Sequence, residues 1–206
     1  MGYDVTFHAI SKKELKKYVF DVLEEPNLAA ERAKEMSEDE EKRDEIQSIY
    51  GHMLEWIAAG PNSGDDFAKT FSFAIAALSG FLHEYYYSRN FALSLLNIDA
   101  TFFKSFTSIS DTPISKFNDH SGGDIIGNYS ASGFSDNPKA ILTLIEQYDL
   151  SDFEDGEDSL KRMLAYCINN DLLFFEASDI VVPFSNESFT DRDKMKAHFL
   201  DNITDS

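Results

Sequence analysis

Cysteine is all but missing from this chain, with Cys167 alone among 206 residues. An internal disulfide is therefore excluded, and the neighbours Met163, Leu164 and Ile168 put the thiol on a buried helical face rather than in a reactive site. A reducing, cytoplasmic compartment is the expectation. Long apolar runs are missing too. The most apolar stretch, Phe71 to Leu82, is interrupted by Ser72, Ser79 and Gly80 and is too short to span a bilayer. The start, Met1-Gly2-Tyr3-Asp4-Val5, has no basic region followed by an apolar core and does not read as a secretory signal. Gly2 with Thr6 resembles a myristoylation site only weakly, and a single acyl chain would need a basic patch that the following segment lacks.

Positive charge is the third scarcity. Eighteen Lys and Arg stand against 37 Asp and Glu, a formal net charge of −19 at pH 7. Phosphate-backbone binding needs cations to displace counterions, so nucleic acid and anionic membranes are unsuitable partners, while a basic protein surface is attracted. The same charge also keeps a soluble protein dispersed. Aromatic residues, by contrast, are plentiful at 14%, with 18 Phe and 9 Tyr, which separates the chain from disordered acidic sequences. The length suits a single domain.

Tyr3 to Ile10 alternates Tyr3, Val5 and Phe7 with Asp4, Thr6 and His8, which predicts a half-buried strand. Ser11-Lys12-Lys13-Glu14 has capping-box spacing, so a helix follows to about Glu24 with Leu15, Val19, Val22 and Leu23 inward. Pro26 opens the next element, a solvent-exposed helix supported by Glu38 with Lys42 and Asp39 with Arg43. Its core contact is expected at Ile46, Ile49, Tyr50, Met53, Leu54 and Ile57, before a break at Gly60-Pro61-Asn62-Ser63-Gly64. Phe67, Phe71, Ala74, Ile75, Leu78 and Leu82 then mark a helix apolar nearly all round. The fold class predicted is α+β and predominantly helical, with helices packed around this central apolar helix (about 65–83) and a few short strands. The helical pattern continues through Tyr85, Tyr86, Tyr87 and Phe91 to Leu96, with Ser88-Arg89-Asn90 as the alternative point for a break.

Thr101 to Ile109 reads as helix on the spacing of Phe102, Phe103, Phe106 and Ile109, with a strand as the alternative that its Thr, Ser and Phe content also suits. Asp119 to Asn137, with Gly122, Gly123, Gly127 and Gly133, is the principal loop and encloses a short strand at Asp124 to Tyr129. Asn137-Pro138 caps a helix to Tyr148. An acidic stretch from Ser151 to Asp158 leads into another helix, with Leu160, Met163, Leu164, Cys167 and Ile168 on one face, ending near Asn169-Asn170-Asp171. A strand is expected at Ile180 to Val182, and Thr190 opens a last helix.

Catalytic motifs fail on spacing. Asp119-His120-Ser121 sits beside glycines, but no nucleophile elbow, phosphate loop or dinucleotide fingerprint is present. His83-Glu84 lacks the second histidine of a zinc-protease helix, since Tyr87 stands there, and His52 with Glu55 is a single pair. Aligning Gly156 to the central glycine of a calcium loop puts Arg162 where the bidentate Glu belongs. No cofactor and no metal are expected, although five scattered histidines leave a site assembled in three dimensions open.

Two functional readings follow. The first is a non-enzymatic acidic module that docks and inhibits a basic protein partner, as immunity proteins do, through the aromatic anchors Tyr85, Tyr86 and Tyr87 and the acids Asp152, Glu154 and Asp155. The second is a small-ligand-binding protein or hydrolase whose pocket lies under the 119–137 loop, lined by His120, Ser121 and Tyr129.

Overall fold

The computed structural model describes residues 4–59, 65–89, 91–96, 100–109, 133–150, 154–178, 185–186 and 189–190. Its centre is the strand β1 (Asp4–Ile10), which lies between β2 (Tyr86–Arg89) and β5 (Leu173–Ser178) in an antiparallel sheet of order β2-β1-β5. Val5 faces Ser88 on one side and Ser178 on the other, and His8 faces Phe175. Here the half-buried reading of β1 is corrected. Val5, Thr6, Phe7, His8, Ala9 and Ile10 are all buried, because both faces of the sheet are covered. The alternation of polar and apolar residues separates two interiors, not core from water.

One face carries Ile10 and packs against Leu15, Val19, Ile46, Tyr50, Met53, Ile75 and Leu78. The other carries Val5, Phe7 and Ala9 and packs against Phe91, Ile141, Leu160, Met163 and Leu164. Each large apolar side chain fully withdrawn from water in these clusters contributes about 1.5–3 kcal/mol.

The first cluster is built from the N-terminal helices. Ser11 makes the expected capping box, its hydroxyl accepting from the Glu14 amide and its own amide donating to the Glu14 carboxylate. Helix α1 (Lys12–Leu15) runs through a π-helical turn, Lys16–Phe20, into α2 (Asp21–Glu24). The wider turn lets Val19 and Phe20 both face the core together with Leu15 and Val22, whereas Leu23 is only partly covered. Pro26 opens a short 3₁₀ turn, Pro26–Leu28, ahead of α3 (Ala29–Met36).

Helix α4 (Glu40–Ala59) is a separate element, and the ion pairs expected across the acidic run are replaced by a cap. The Asp39 carboxylate accepts from the amides of Glu41 at 2.9 Å and Lys42 at 3.3 Å, and the Arg43 guanidinium donates to the Glu38 carbonyl. A free amide at a helix start is a better partner for a short carboxylate than a flexible exposed cation one turn on. Ile46, Ile49, Tyr50 and Met53 are buried as expected.

Helix α5 (Asp65–Leu82) packs with α4, β1 and β5, and Ala74 to Ser79 is buried at every position. Its described buried apolar residues belong to the first cluster alone, while the sheet stands between the two clusters. The helix stops at Leu82. Tyr86 and Tyr87, expected to prolong it, lie in β2, and Tyr85 precedes that strand.

Residues 100–109 form neither the expected helix nor one long strand. A 3₁₀ turn at Ala100–Phe102, the short strand β3 (Lys104–Ser105) and a second 3₁₀ turn at Phe106–Ile109 bury Phe103 and Phe106. β3 pairs with β4 (Gly133–Phe134), and Ser135 bridges to Phe174, attaching this pair to β5. Helix α6 (Pro138–Ile145) is capped by Asn137 and ends before the expected Tyr148.

Helix α7 (Glu154–Asn170) buries Leu160, Met163, Leu164 and Cys167 and leaves Ile168 exposed. Asp171 closes it at φ 55, with the Leu172 amide returning to the Cys167 carbonyl at 2.9 Å. This is the left-handed C-terminal cap that asparagine and glycine also supply. The residues after it form β5 itself. The 119–132 part of the expected loop, the strands expected at 124–129 and 180–182, and the helix expected after Thr190 lie outside the described residues. Thr190 itself pairs within a small hairpin of β6 (Ser185–Asn186) and β7 (Phe189–Thr190).

Among the described residues, no helix is long and apolar enough to cross a membrane. The architecture is thus α+β and mostly helical.

Candidate functional site

A connected group of polar side chains lies where the start of α1, the end of α5, β2 and α7 meet. The Nε2 of His83 is 2.8 Å from Glu14 Oε2, and its Nδ1 is 3.2 Å from the Tyr166 hydroxyl. The Glu14 carboxylate can only accept, so in the neutral imidazole the proton sits on Nε2 and donates to Glu14, while Nδ1 accepts from the Tyr166 hydroxyl. Next to this chain, the Tyr86 hydroxyl donates to the Glu84 carboxylate at 2.8 Å.

Sequence places these groups locally. The capping box fixes Glu14 by its bond from the Ser11 amide at 2.8 Å, and the last helical bond of α5 anchors the His83 amide on the Ser79 carbonyl. Burial alone would raise the Glu14 carboxyl, but the bonds from His83 and Ser11 outweigh it and hold the group below the usual carboxylate range. Burial pushes the Tyr166 hydroxyl above the usual phenol range, and burial with the Glu84 bond takes Tyr86 up to about 12. Both tyrosines are therefore neutral donors at pH 7.

A second histidine has a different role. His8 lies in β1 with Nδ1 3.0 Å from the Ser79 hydroxyl and Nε2 2.8 Å from the Thr6 hydroxyl. Its ring stacks between Tyr85 at 5.4 Å and Phe175 at 5.1 Å. A serine, a histidine and a threonine in line suggest catalysis, yet all three are buried and the histidine faces are covered by aromatic rings. Burial lowers the His8 pKa to about 3, so the ring is neutral. The Ser79 hydroxyl donates to the Ala76 carbonyl at 2.7 Å, which assigns the His8 proton to Nδ1 and leaves Nε2 to accept from Thr6. The line satisfies buried polar atoms; it holds the sheet to α5.

Of the residues singled out for docking, Tyr85 is buried in the core beside His8, while Tyr86 and Tyr87 are half-buried on β2. Glu154 and Asp155 lie in the first turn of α7, the helix that packs on β2, so the fold brings the strand of tyrosines and this acidic turn together. The contact is made close by Gly156 and by Ser159, whose hydroxyl donates to the Tyr87 carbonyl at 2.7 Å. Asp152 and the alternative pocket residues His120, Ser121 and Tyr129 lie outside the described residues.

No protein-family model matches this chain, and no curated protein or solved structure is found to match it.

Sequence reasoning had assigned Glu14 to capping alone and Tyr166 to no role. No spacing rule connects them, since the partners come from α1 and α7 and meet only through tertiary packing. His83 and Glu84 read in the sequence as an incomplete zinc-protease motif, and they lie just past the end of α5. Among the described residues, no three His, Cys, Asp or Glu side chains are grouped so as to hold a metal ion. Cys167 is buried against Met163 and the Leu173 carbonyl, and burial raises its thiol to about 12, consistent with a structural side chain.

Proposed function

We propose that this chain is a non-enzymatic, acidic protein-binding module that docks on a basic protein and inhibits it, in the manner of an immunity protein acting in the reducing cytoplasm. The observation that carries the reading is the distribution of charge along α3 and α4. From Glu24 to Glu55 the chain has eleven acids against four bases, and most of those acids are exposed. Two of the four bases are engaged locally: Arg32 with Glu31 and Glu35, and Arg43 with the Glu38 carbonyl. A helical ridge of this sign steers a cationic partner and speeds its association.

Anchoring falls to the neighbourhood of β2 and the first turn of α7, where Tyr86 and Tyr87 offer aromatic area and Glu154 and Asp155 add charge. Aromatic side chains with a polar tip are the usual centres of binding energy at such surfaces. Tyr85, being in the core, supports the strand from beneath.

The experiment is affinity capture of the tagged chain from its native host at low salt, followed by association kinetics with the captured protein purified. A basic partner whose on-rate falls steeply with ionic strength, and falls again when Glu38, Glu40, Glu41 and Asp44 are replaced by Lys, supports the reading. An on-rate indifferent to both salt and charge reversal sinks it.

A further inference from the structure

The Glu14–His83–Tyr166 line has a direction, and that direction depends on a single proton. We infer that His83 is a proton-operated clasp that sets which way the Tyr166 hydroxyl points. In the neutral state, Nε2–H donates to Glu14 at 2.8 Å, and Nδ1 receives the Tyr166 hydroxyl proton at 3.2 Å. A second proton can enter only at Nδ1, which then becomes a donor. The Tyr166 oxygen then accepts from Nδ1–H, so its own proton must leave the clasp for another acceptor. Protonation thus converts Tyr166 from an inward donor to an outward one and places a full positive charge beside Glu14.

Groups from every packed element bear on this proton. Glu14 from α1 and Tyr166 of α7 face the ring directly, Glu84 follows it in the chain, and Arg162 of α7 acts on the neighbouring Tyr86; the His83 side chain is only 13% exposed. Tyr86 and Tyr166 remain neutral, and Cys167 is a neutral thiol beneath them. The ring of His83 meets that of Tyr166 edge-on with centroids 6.1 Å apart, so a turn of the hydroxyl need not disturb the packing. The clasp joins α1, α5 and α7 at the surface and operates whatever the chain binds.

The test is an NMR titration of the labelled full chain between pH 5 and 8.5, following the imidazole nitrogens of His83 and the ring carbons of Tyr166. The Tyr166 resonances are expected to shift with the same midpoint as His83. In His83→Gln, that pH-dependent shift is expected to disappear. In Tyr166→Phe, the Nδ1 resonance of neutral His83 is expected to move toward that of an acceptor without a hydroxyl donor, which keeps the inference testable if the first variant does not fold. Tyr166 resonances that stay still while His83 titrates, or a Tyr166 response that survives in His83→Gln, would overturn it.

Discussion

His8 and Glu176 lie on adjacent strands, β1 and β5, but serve opposite faces of the sheet. His8 stacks on Phe175 in the first cluster, whereas Glu176, the next residue along, is paired across the strands with Phe7 and reaches the Leu93 amide at 2.6 Å on the other side. Burial acts on both and disfavours both charged forms: it lowers His8 to about 3 and raises Glu176 to about 7 despite the bond from Leu93.

Their linkage to folding has opposite signs. The unfolded chain binds the His8 proton and the native chain does not between about 6.5 and 3, so stability falls as pH drops through that window. Native Glu176 holds a proton that the unfolded chain has lost between about 4.5 and 7, so stability falls as pH rises there. Over the shared range, about 4.5 to 6.5, the two slopes cancel. Urea midpoints should therefore be nearly flat with pH in that range and drop below it, where His8 and the depressed carboxylates Glu14, Glu35 and Asp136 respond. Glu176→Gln, whose carbonyl still accepts from Leu93, should replace the plateau by a rise in stability with pH. A plateau that persists in the variant would show that the cancellation is not between these two residues.

The buried hydroxyls beside His8 make a second prediction. Ser79→Ala removes the acceptor of the His8 Nδ1–H and leaves a buried donor without its partner, which costs about 1–3 kcal/mol. Thr6→Val, which removes the donor to Nε2, should cost a similar amount, and the double variant less than the sum because both act through one ring. Chemical denaturation of the two single variants and the double variant measures the coupling. Strict additivity would mean that the line is not a unit.

Glycine in a helix is ordinarily a weakness, and Gly51 of α4 and Gly156 of α7 should respond oppositely to alanine. Gly51 has nothing within 4 Å of a built Cβ, so Gly51→Ala is expected to stabilise by about 0.5–1 kcal/mol. At Gly156 a Cβ would overlap the Cβ of Phe91 and the Oγ of Ser88, neither of which is the free end of a long side chain. The propensity gain is then outweighed by the displacement of α7 from β2, and Gly156→Ala should destabilise by about 1–3 kcal/mol. Thermal melts of the pair decide it: a stabilised Gly156→Ala would mean that α7 does not approach β2 this closely.

Gly156 also shows what the sequence could and could not disclose. Its acidic neighbours drew attention as a calcium loop, and the failed ligand spacing was legible, but the reason for the glycine was not, because Phe91 and Ser88 arrive from another element. Local signals were read well where the physics is local. The Ser11 capping box, the Asn137-Pro138 start and the 3-4 spacing of Ile46, Ile49, Tyr50 and Met53 all appear in the fold. His8 was misplaced because alternation in a strand records only that two faces differ, and a buried, hydrogen-bonded histidine has the same letter as an exposed one. Tyr86 and Tyr87 were misplaced because a helical stripe gives no notice of its end when the residues beyond it are also apolar. The clasp at His83 was half legible: its histidine was noticed, while Glu14 and Tyr166 required the tertiary fold.

Asp39 gives the most direct contrast between a pattern and a structure. As the acid four residues before Arg43 it should form an exposed ion pair, but its carboxylate accepts from the Glu41 and Lys42 amides at the start of α4. The two roles separate by substitution. Asparagine keeps the accepting oxygen and removes the charge, so Asp39→Asn should retain nearly all the stability of the parent, losing only the few tenths of a kcal/mol that a carboxylate gains from the helix dipole. Asp39→Ala removes the cap and should cost about 1 kcal/mol, with little dependence on salt. Denaturation of both variants at low and high ionic strength is the measurement. If Asn were as damaging as Ala, and the damage faded with salt, charge pairing rather than capping would be what Asp39 contributes to the entry of α4.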